Sequence, residues 1–270
     1  MPPGPSRDLE VLFRIGSAVH AAFRLANGSP HRADIVAMGA DGSPTEEIDR
    51  VAESQLLRTL ESEGVGWDVV SEEIGTVHRG GDRLLVVDPI DGSHNALRRM
   101  PFATISLALG STDLSTVEIG VVHDLFTGVT YWAERGRGAF RDGTPLHTRP
   151  WEAKKELFFL NLGRHATARA VQWAAKGRRV RSLGCASLEM LMVAQGSADA
   201  YYFDNEVEER NLRVTDIAAA YRILIEAGGG VGNAAAESLE RFPLALGHHT
   251  SVLAWGDPKF PAGAREMGYL

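Results

Sequence analysis

The chain has 270 residues, of which 44% are hydrophobic and 23% charged, and this composition excludes a mainly disordered, collagen-like or coiled-coil protein. Its net charge of −7 disfavours a general nucleic-acid binder, because phosphate backbones attract basic faces. No apolar run approaches the ~18–20 residues of a membrane span, the first residues lack a signal pattern, and the single cysteine, Cys185, excludes an internal disulfide, so we expect a cytoplasmic protein.

The first half of the chain begins with helical patterns and then changes to strands. Apolar residues at helical spacing predict an amphipathic helix over 7–26. The turn formers of 39–45 predict a loop, and Thr45 is a candidate cap for a second helix over 46–63. Short apolar segments then predict strands over 67–71, 83–88, 103–110, 117–123 and 128–133, the last three forming a meander.

A polar stretch at 148–156 is the candidate boundary between two halves, 1–150 and 151–270. Beyond it, apolar and helical segments alternate, which favours a parallel α/β layer. The predicted elements are strands over 157–161, 179–183 and 199–203 and helices over 166–176, 186–195 and 215–227. We therefore predict an α/β protein with an α+β half and an α/β half, and a ligand site between the halves.

The segment 84–97, LLVVDPIDGSHNAL, carries two closely spaced carboxylates, Asp88 and Asp91. Pro89 is expected to end the strand ladder, and Gly92 lies where backbone can approach a ligand closely. Two such carboxylates repel unless a cation lies between them, and oxygen ligands suit magnesium. N–H groups at 92–95 would face an anion. A strand-to-turn junction in which both carboxylates only cap backbone is an equally weighted alternative.

Two other segments supply further carboxylates. VVSEEIG at 69–75 places Glu72 and Glu73 after a predicted strand, and RVTDIAAA at 213–220 places Asp216 before a helix of small residues. Alone, these would be a solvated glutamate pair and an N-cap. Together with Asp88 and Asp91 they provide the carboxylates of a two-metal phosphoryl site.

The SEE, DPIDGS and TDIAAA segments, in this order, resemble the inositol monophosphatase-like family of magnesium-dependent, lithium-sensitive phosphatases. The archaeal type, which hydrolyses inositol monophosphates and fructose 1,6-bisphosphate, is the most similar pattern, and 39–53 and 181–189 also fit it. The resemblance implies a layered αβαβα sandwich of the sugar phosphatase type, a phosphorylated sugar or inositol substrate and a homodimer. It also implies about two or three magnesium ions per site, with manganese as an alternative.

The resemblance assigns roles by position. The implied metal ligands are Glu72, Asp88, the carbonyl of Ile90, Asp91 and Asp216. The implied catalytic set is Asp49, Ser93 and Glu72, with the Ser93 hydroxyl paired to Asp49 so that it orients the attacking water. The implied substrate contacts are Asp91, Gly92 and Ser93 for phosphate, and Arg181, Ala186 and Arg210 for the sugar.

The expected reaction is direct in-line attack of water on phosphorus, since phosphoryl transfer needs positioning and charge neutralisation more than a covalent nucleophile. One metal at Glu72 and Asp88 would activate the water, and another at Asp88, Asp91 and Asp216 would stabilise the leaving oxygen. A 3′(2′),5′-bisphosphate nucleotidase shares the metal motif and is the alternative enzyme. A binding or regulatory module without turnover is the alternative outside enzymes. No nucleic-acid or membrane partner is expected.

Four other features have simpler interpretations. Cys185 is expected to be a buried structural thiol, and His248 and His249 a polar loop. GGGVGN at 228–233 lacks the spacing of a dinucleotide motif and is expected to end a helix and start a strand. The charged runs 176–181 and 205–210 are expected to be solvated.

Overall fold

The computed structural model describes residues 5–40 and 44–270. Part of the loop predicted over 39–45 therefore lies outside the described residues. Within them, the helices are α1 (Arg7–Gly28), α2 (Glu47–Glu63), α3 (Ser93–Leu97), α4 (Ala168–Lys176), α5 (Ala186–Ala194), α6 (Val214–Glu226) and α7 (Phe260–Glu266). The strands up to residue 146 are β1 (Ile35–Met38), β2 (Pro44–Glu46), β3 (Asp68–Ser71), β4 (Gly75–Val77), β5 (Leu84–Asp91), β6 (Thr104–Gly110), β7 (Ile119–Asp124), β8 (Thr130–Glu134), β9 (Ala139–Arg141) and β10 (Thr144–Leu146). The later strands are β11 (Phe158–Leu160), β12 (Val180–Arg181), β13 (Ala200–Phe203), β14 (Gly230–Gly232) and β15 (Val252–Trp255).

The first two helices follow the apolar spacing of the sequence. Ser6 caps α1 by accepting the Leu9 N–H at 3.2 Å, and one face of α1 is buried. The capping role predicted for Thr45 is wrong. Thr45 lies in β2 and its hydroxyl donates to Glu73, while Glu46 holds the N-cap position of α2 without a side-chain cap bond. The Thr45 hydroxyl therefore bonds to the Glu73 carboxylate on the turn after β3 instead of capping α2.

An eight-stranded sheet has the order β10-β9-β8-β7-β6-β5-β3-β4. Its pairs are antiparallel except β3 with β5, which run parallel. β5 continues past Pro89 to Asp91, so the predicted end of the strand at Asp88 is wrong. The register shifts between Asp88 and Asp91, and this bulge accommodates a proline that has no N–H to donate to the ladder.

A five-stranded sheet has the order β12-β11-β13-β15-β14. The predicted parallel layer is confirmed for the three strands β12, β11 and β13. β15 then pairs antiparallel with both β13 and β14. The polar stretch 148–156 lies between the last strand of the first sheet and the first strand of the second, and the division into halves stays a prediction.

Five layers build the molecule, as the predicted αβαβα sandwich requires. α1 and α2 pack on the outer face of the eight-stranded sheet. α5 and α6 lie between the two sheets and contribute to the largest apolar cluster. α4 and α7 cover the outer face of the five-stranded sheet through Trp173 and Phe260. Among the described residues, no helix is both long and apolar enough to cross a membrane.

α6 and β7 approach each other closely in the middle of this stack. A Cβ placed on Gly120 of β7 would lie 2.4 Å from the carbonyl oxygen of Ala219 in α6. The small residues Ala218–Ala220 and the bare glycine therefore set the depth at which α6 sits on the sheet, and with it the position of the first turn of α6.

Candidate metal centre

Three carboxylates from distant parts of the chain meet at one place. Glu72 follows β3, Asp88 lies in β5 and Asp216 is in the first turn of α6. One oxygen from each lies within 4.8 Å of the others. Asp88 is 2% exposed, and the other two are half-buried. The structure thus brings together three of the five metal ligands that the sequence predicts.

The strand register explains this convergence. β3 and β5 are parallel neighbours, and Ser71 of β3 lies opposite Val87 of β5. The next residue of each segment, Glu72 and Asp88, therefore lies at the same edge of the sheet. α6 is attached to that edge, because the Ser106 hydroxyl of β6 donates to the carbonyl of Thr215 at 3.3 Å. The Asp216 carboxylate accepts the Arg213 N–H at 2.7 Å, which orients it at the helix start.

The electrostatics of this carboxylate cluster (Glu72, Asp88 and Asp216) fit a divalent cation. Burial raises the pKa of Asp88 well above its usual value, and the charges of Glu72, Asp91 and Asp216 raise it further. A hydrogen bond from the Ile90 N–H at 3.0 Å opposes this effect. Closely spaced carboxylates are stable together when a cation neutralises them, and an all-oxygen donor set suits Mg2+ or Mn2+.

The Asp91 carboxylate makes its hydrogen bonds with residues at the start of α5. It accepts hydrogen bonds from the Ser187 N–H at 2.7 Å, the Ser187 hydroxyl at 2.6 Å and the Ala186 N–H at 3.2 Å. The Cys185 thiol donates to it at 3.3 Å. Burial raises the pKa of Asp91 and these hydrogen bonds oppose the increase. Asp91 thus contacts the start of α5, and its role as a metal ligand stays a prediction.

The turn after Asp91 has the geometry expected for close approach. Gly92 has a φ of +87°, and a Cβ there would lie 2.6 Å from the Phe102 carbonyl oxygen, so glycine is required. α3 begins at Ser93, directly after this glycine. The expectation that all N–H groups at 92–95 face an anion is wrong at Asn95, whose N–H donates to the Gly92 carbonyl.

Asp49 lies in the first turn of α2 and is buried. Burial, with Glu73 and Glu46 nearby, raises the pKa of Asp49 to about 8. Within residues 5–40 and 44–270, no hydrogen bond joins Asp49 to Ser93, so the predicted pairing is absent from this structure. The reason is that Asp49 faces Glu46 on its own helix start and Glu73 on the β3–β4 turn.

A cavity of about 150 Å³ adjoins the carboxylates on the side of the second sheet. Ala186 lines it, together with Asp91 and Asp216. Arg181 and Arg210 do not line it, contrary to the expected sugar contacts. Both are exposed, and the Arg181 guanidinium donates to the neighbouring Val180 carbonyl at 2.8 Å.

A model of the inositol monophosphatase family matches residues 8–259. The chain belongs to the inositol monophosphatase family. It is 36% identical over 263 residues to the fructose-1,6-bisphosphatase/inositol-1-monophosphatase of Methanothermobacter thermautotrophicus, covering 92% of this chain and 91% of the relative. It is 30% identical over 197 residues to inositol monophosphatase 1 of Homo sapiens, covering 67% and 68%.

A third relative is larger than this chain. The bifunctional NADP phosphatase/NAD kinase of Methanococcus maripaludis is 31% identical over 251 residues, which cover 82% of this chain and 42% of that relative.

Solved structures agree with this family fold. A Pyrococcus horikoshii protein described as hypothetical, with similarities to inositol-1 monophosphatase, superposes with a TM-score of 0.79 at 25% identity and covers 94% of both chains. An inositol monophosphatase–fructose 1,6-bisphosphatase superposes with a TM-score of 0.81 at 22% identity, covering 98% of this chain and 100% of that one, which shows the fold alone.

The sequence interpretation missed three residues at the site of this family member. Glu53 is buried one helical turn after Asp49, accepts the Ser71 hydroxyl at 2.8 Å, and has its pKa raised by burial to about 7. Glu189 lines the cavity, and burial raises its pKa to about 8. Arg213 forms an ion pair with Glu72 at 3.1 Å. The i,i+4 spacing of Asp49 and Glu53 was a usable signal.

Cys185 is fully buried, and burial raises the pKa of its thiol well above the usual value. α6 ends at Glu226, Gly228 has a φ of +97°, and β14 begins at Gly230, which confirms the interpretation of 228–233. The charged runs are largely exposed. Among the described residues, the only three-ligand group with metal-binding spacing is the carboxylate cluster, so His248 and His249 form no such group.

Proposed function

We propose that this chain is a magnesium-dependent phosphomonoesterase that hydrolyses inositol monophosphate, fructose 1,6-bisphosphate or both. Its relatives are named phosphatases, which supports a phosphoric monoester hydrolase. The observation that carries the proposal is the convergence of Glu72, Asp88 and Asp216 within 4.8 Å. A homodimer and a cytoplasmic location belong to the same proposal and rest on the resemblance and the sequence.

The residues present fit the proposed chemistry. Glu72, Asp88 and Asp216 would hold Mg2+, with Asp91 and the Ile90 carbonyl as further proposed ligands. When bound, Mg2+ lowers the pKa of water and neutralises charge on the leaving oxygen. Gly92 and Ser93 would hold the phosphate where the backbone can approach it.

Asp49 is the proposed proton acceptor. Burial raises the pKa of Asp49 to about 8, so its carboxyl exchanges protons near neutral pH, and its ionised form would accept the proton. We propose that the proton of the attacking water passes through the Ser93 hydroxyl to Asp49.

The cavity supports a compact, hydroxyl-rich substrate. Its volume of about 150 Å³ is small, and polar side chains of Asn161, Ser182 and Glu189 line it beside Asp216. These groups can exchange hydrogen bonds with the hydroxyls of a sugar or inositol ring. We propose that the ring lies here, with its phosphate directed at the carboxylate cluster.

A second candidate substrate is a nucleotide phosphate. The relation to a bifunctional NADP phosphatase/NAD kinase over 82% of this chain favours the 2′-phosphate of NADP. The 3′(2′),5′-bisphosphate nucleotidase alternative shares the same metal motif. Both require an adenosine to extend beyond the small cavity, which makes them weaker candidates than a sugar phosphate.

Phosphate release by Asp88→Asn tests the proposal. We expect a fall of about three orders of magnitude or more in kcat, because the change removes the central, buried metal-binding charge while preserving side-chain shape. Asp82→Asn is the matched control, since Asp82 is exposed in the loop before β5. The substrates are inositol 1-phosphate, fructose 1,6-bisphosphate, NADP and adenosine 3′,5′-bisphosphate, each with Mg2+.

Near-normal turnover by Asp88→Asn would reject the metal mechanism. Metal binding without phosphate release from any of the four substrates would instead favour a non-catalytic module. Preferred hydrolysis of either nucleotide would replace the sugar phosphate with the nucleotide in the proposal.

A further inference from the structure

Arg213 places a positive charge of the protein itself at the carboxylate cluster. Its Nη1 lies 3.1 Å from Glu72 Oε2, and the two side chains are 23% and 21% exposed. The backbone N–H of the same residue donates to Asp216 at 2.7 Å. Arg213 therefore contacts two of the three carboxylates, one through its side chain and one through its main chain.

We propose that Arg213 is an internal counter-ion that competes with the divalent metal for Glu72 and so sets the metal affinity of the site. The inference rests on the metal site of the proposed function and adds a residue outside the ligand set. Arg213 acts through Glu72, so it is a positioning residue.

The competition follows from charge. The carboxylates of Glu72, Asp88 and Asp216 repel one another, and a guanidinium against Glu72 relieves part of that repulsion in the metal-free protein. A divalent cation at the same carboxylate meets the positive guanidinium at short range, in a half-buried setting where charges interact more strongly than in water. Full use of Glu72 as a ligand therefore requires the ion pair with Arg213 to weaken or break.

Arg213→Gln removes the charge and keeps a polar side chain of similar length. We expect its Mn2+ and Mg2+ affinities to rise by about threefold to tenfold, as the loss of one partly exposed ion pair implies. Its melting temperature without metal should fall, because the carboxylates lose their neutralising cation. Its melting temperature at saturating Mg2+ should match the wild type, so the metal-induced shift becomes larger.

The experiment uses the full chain after metal removal with a chelator and dialysis. Mn2+ binding is measured from the electron paramagnetic resonance signal of the free ion, and melting temperatures are measured with and without Mg2+. Arg213→Lys keeps the charge and should bind metal nearly as the wild type does. Arg241→Gln controls for the loss of one positive charge, since Arg241 is 89% exposed and pairs with Asp113.

The outcomes separate this inference from the proposed function. Unchanged or weaker metal binding by Arg213→Gln would overturn the proposed competition. It would not contradict the proposal that the carboxylate cluster binds metal. An equal fall in melting temperature with and without Mg2+ would show a purely structural role and overturn it as well. Absence of metal binding by the wild type would overturn both proposals, whereas tighter binding without phosphatase activity would support Arg213 and reject the enzyme.

Discussion

His123 is a buried imidazole in β7, on the side of the sheet that packs against α1. Its Nδ1 lies 2.8 Å from the Thr130 hydroxyl, and its Nε2 lies 2.8 Å from Nδ1 of His20. Burial lowers the pKa of His123 to about 4, with the nearby His20 adding to the decrease and Asp124 opposing it. The ring is therefore neutral near pH 7, and α1 is attached to the sheet through an uncharged histidine pair.

The lowered pKa of His123 predicts that the unfolding free energy falls in acid. The unfolded chain takes up a proton at His123 near pH 6.5, its ordinary pKa, but the folded protein does so only near pH 4. Stability from this group is therefore complete above about pH 6.5 and is lost as the pH falls toward 4. We expect His123→Gln to reduce the fall in unfolding free energy between pH 7 and 4.5 by about 2 kcal/mol.

Urea unfolding at pH 7 and pH 4.5 measures this difference. His147→Gln is the control, because His147 is exposed on the surface. The same pH dependence in His123→Gln and the wild type would contradict the role given to the buried ring.

At the site, the sequence indicated residues that belong to a short motif. It missed residues whose role depends on contacts with distant parts of the chain. Asp88 and Asp91 became candidates because DPIDGS places two carboxylates beside a glycine turn, and the structure places Asp88 in the carboxylate cluster. The ion pair of Arg213 with Glu72 joins residues 141 positions apart, and no local pattern specifies it. The exposure of the Arg181 and Arg210 side chains was missed for the same reason. A match to a family motif places a residue in the chain but does not specify where its side chain points.

At the level of elements, the contact of α6 with β7 positions Asp216. Gly120 leaves no space for a side chain beneath Ala219, so the helix rests directly on the strand. Any increase in volume there must move α6 away from the sheet, together with the first turn that carries Asp216.

Gly120→Ala should therefore lower the unfolding free energy by about 1–3 kcal/mol, the usual cost of overpacking a core. It should also weaken metal binding, because Asp216 moves with α6. Gly28→Ala is the matched control. Apart from the chain neighbours and the backbone of α1, no atom of residues 5–40 and 44–270 lies within 4 Å of a Cβ at this position, and we expect a change within about 0.5 kcal/mol. Chemical denaturation and a Mn2+ titration of both variants measure these effects, and an unchanged stability of Gly120→Ala would contradict the close contact.

Elements with strong periodicity were predictable, whereas some of the short strands were not. α1 was anticipated almost to its ends because its apolar face repeats over many turns. β10 has three residues and β15 four, too few for a pattern to be distinguished from a loop. Thr45 was misassigned because a hydroxyl near a helix start has two uses, and the acidic turn at Glu73 competes for it.

On the scale of the whole molecule, the αβαβα stack gathers carboxylates that lie far apart in the chain. Glu72 and Asp88 come from the eight-stranded sheet, and Asp216 comes from the helical layer between the sheets. The five layers followed from the alternation of predicted elements together with the resemblance, whereas the cavity shape depends on loops that no periodicity specifies.

A shared metal should therefore protect three separate segments together. We expect Mg2+ to slow amide hydrogen exchange around Glu72, in 88–96 and at the start of α6, with no change in α7, which lies on the outer face of the second sheet. Mass spectrometry of peptides from the protein with and without Mg2+ measures this. Protection of one segment alone would contradict a common site.

The hydrogen bonds that Asp91 accepts from residues 185–187 have a consequence for engineering. A carboxylate carried by the first sheet is held in place by the start of a helix that belongs to the later part of the chain. A chimaera that joined 1–150 to the second half of a relative would keep the orientation of Asp91 only if the incoming helix start still donated to it. The two parts of such a chimaera therefore have to be matched at this contact, and not only in their separate folds.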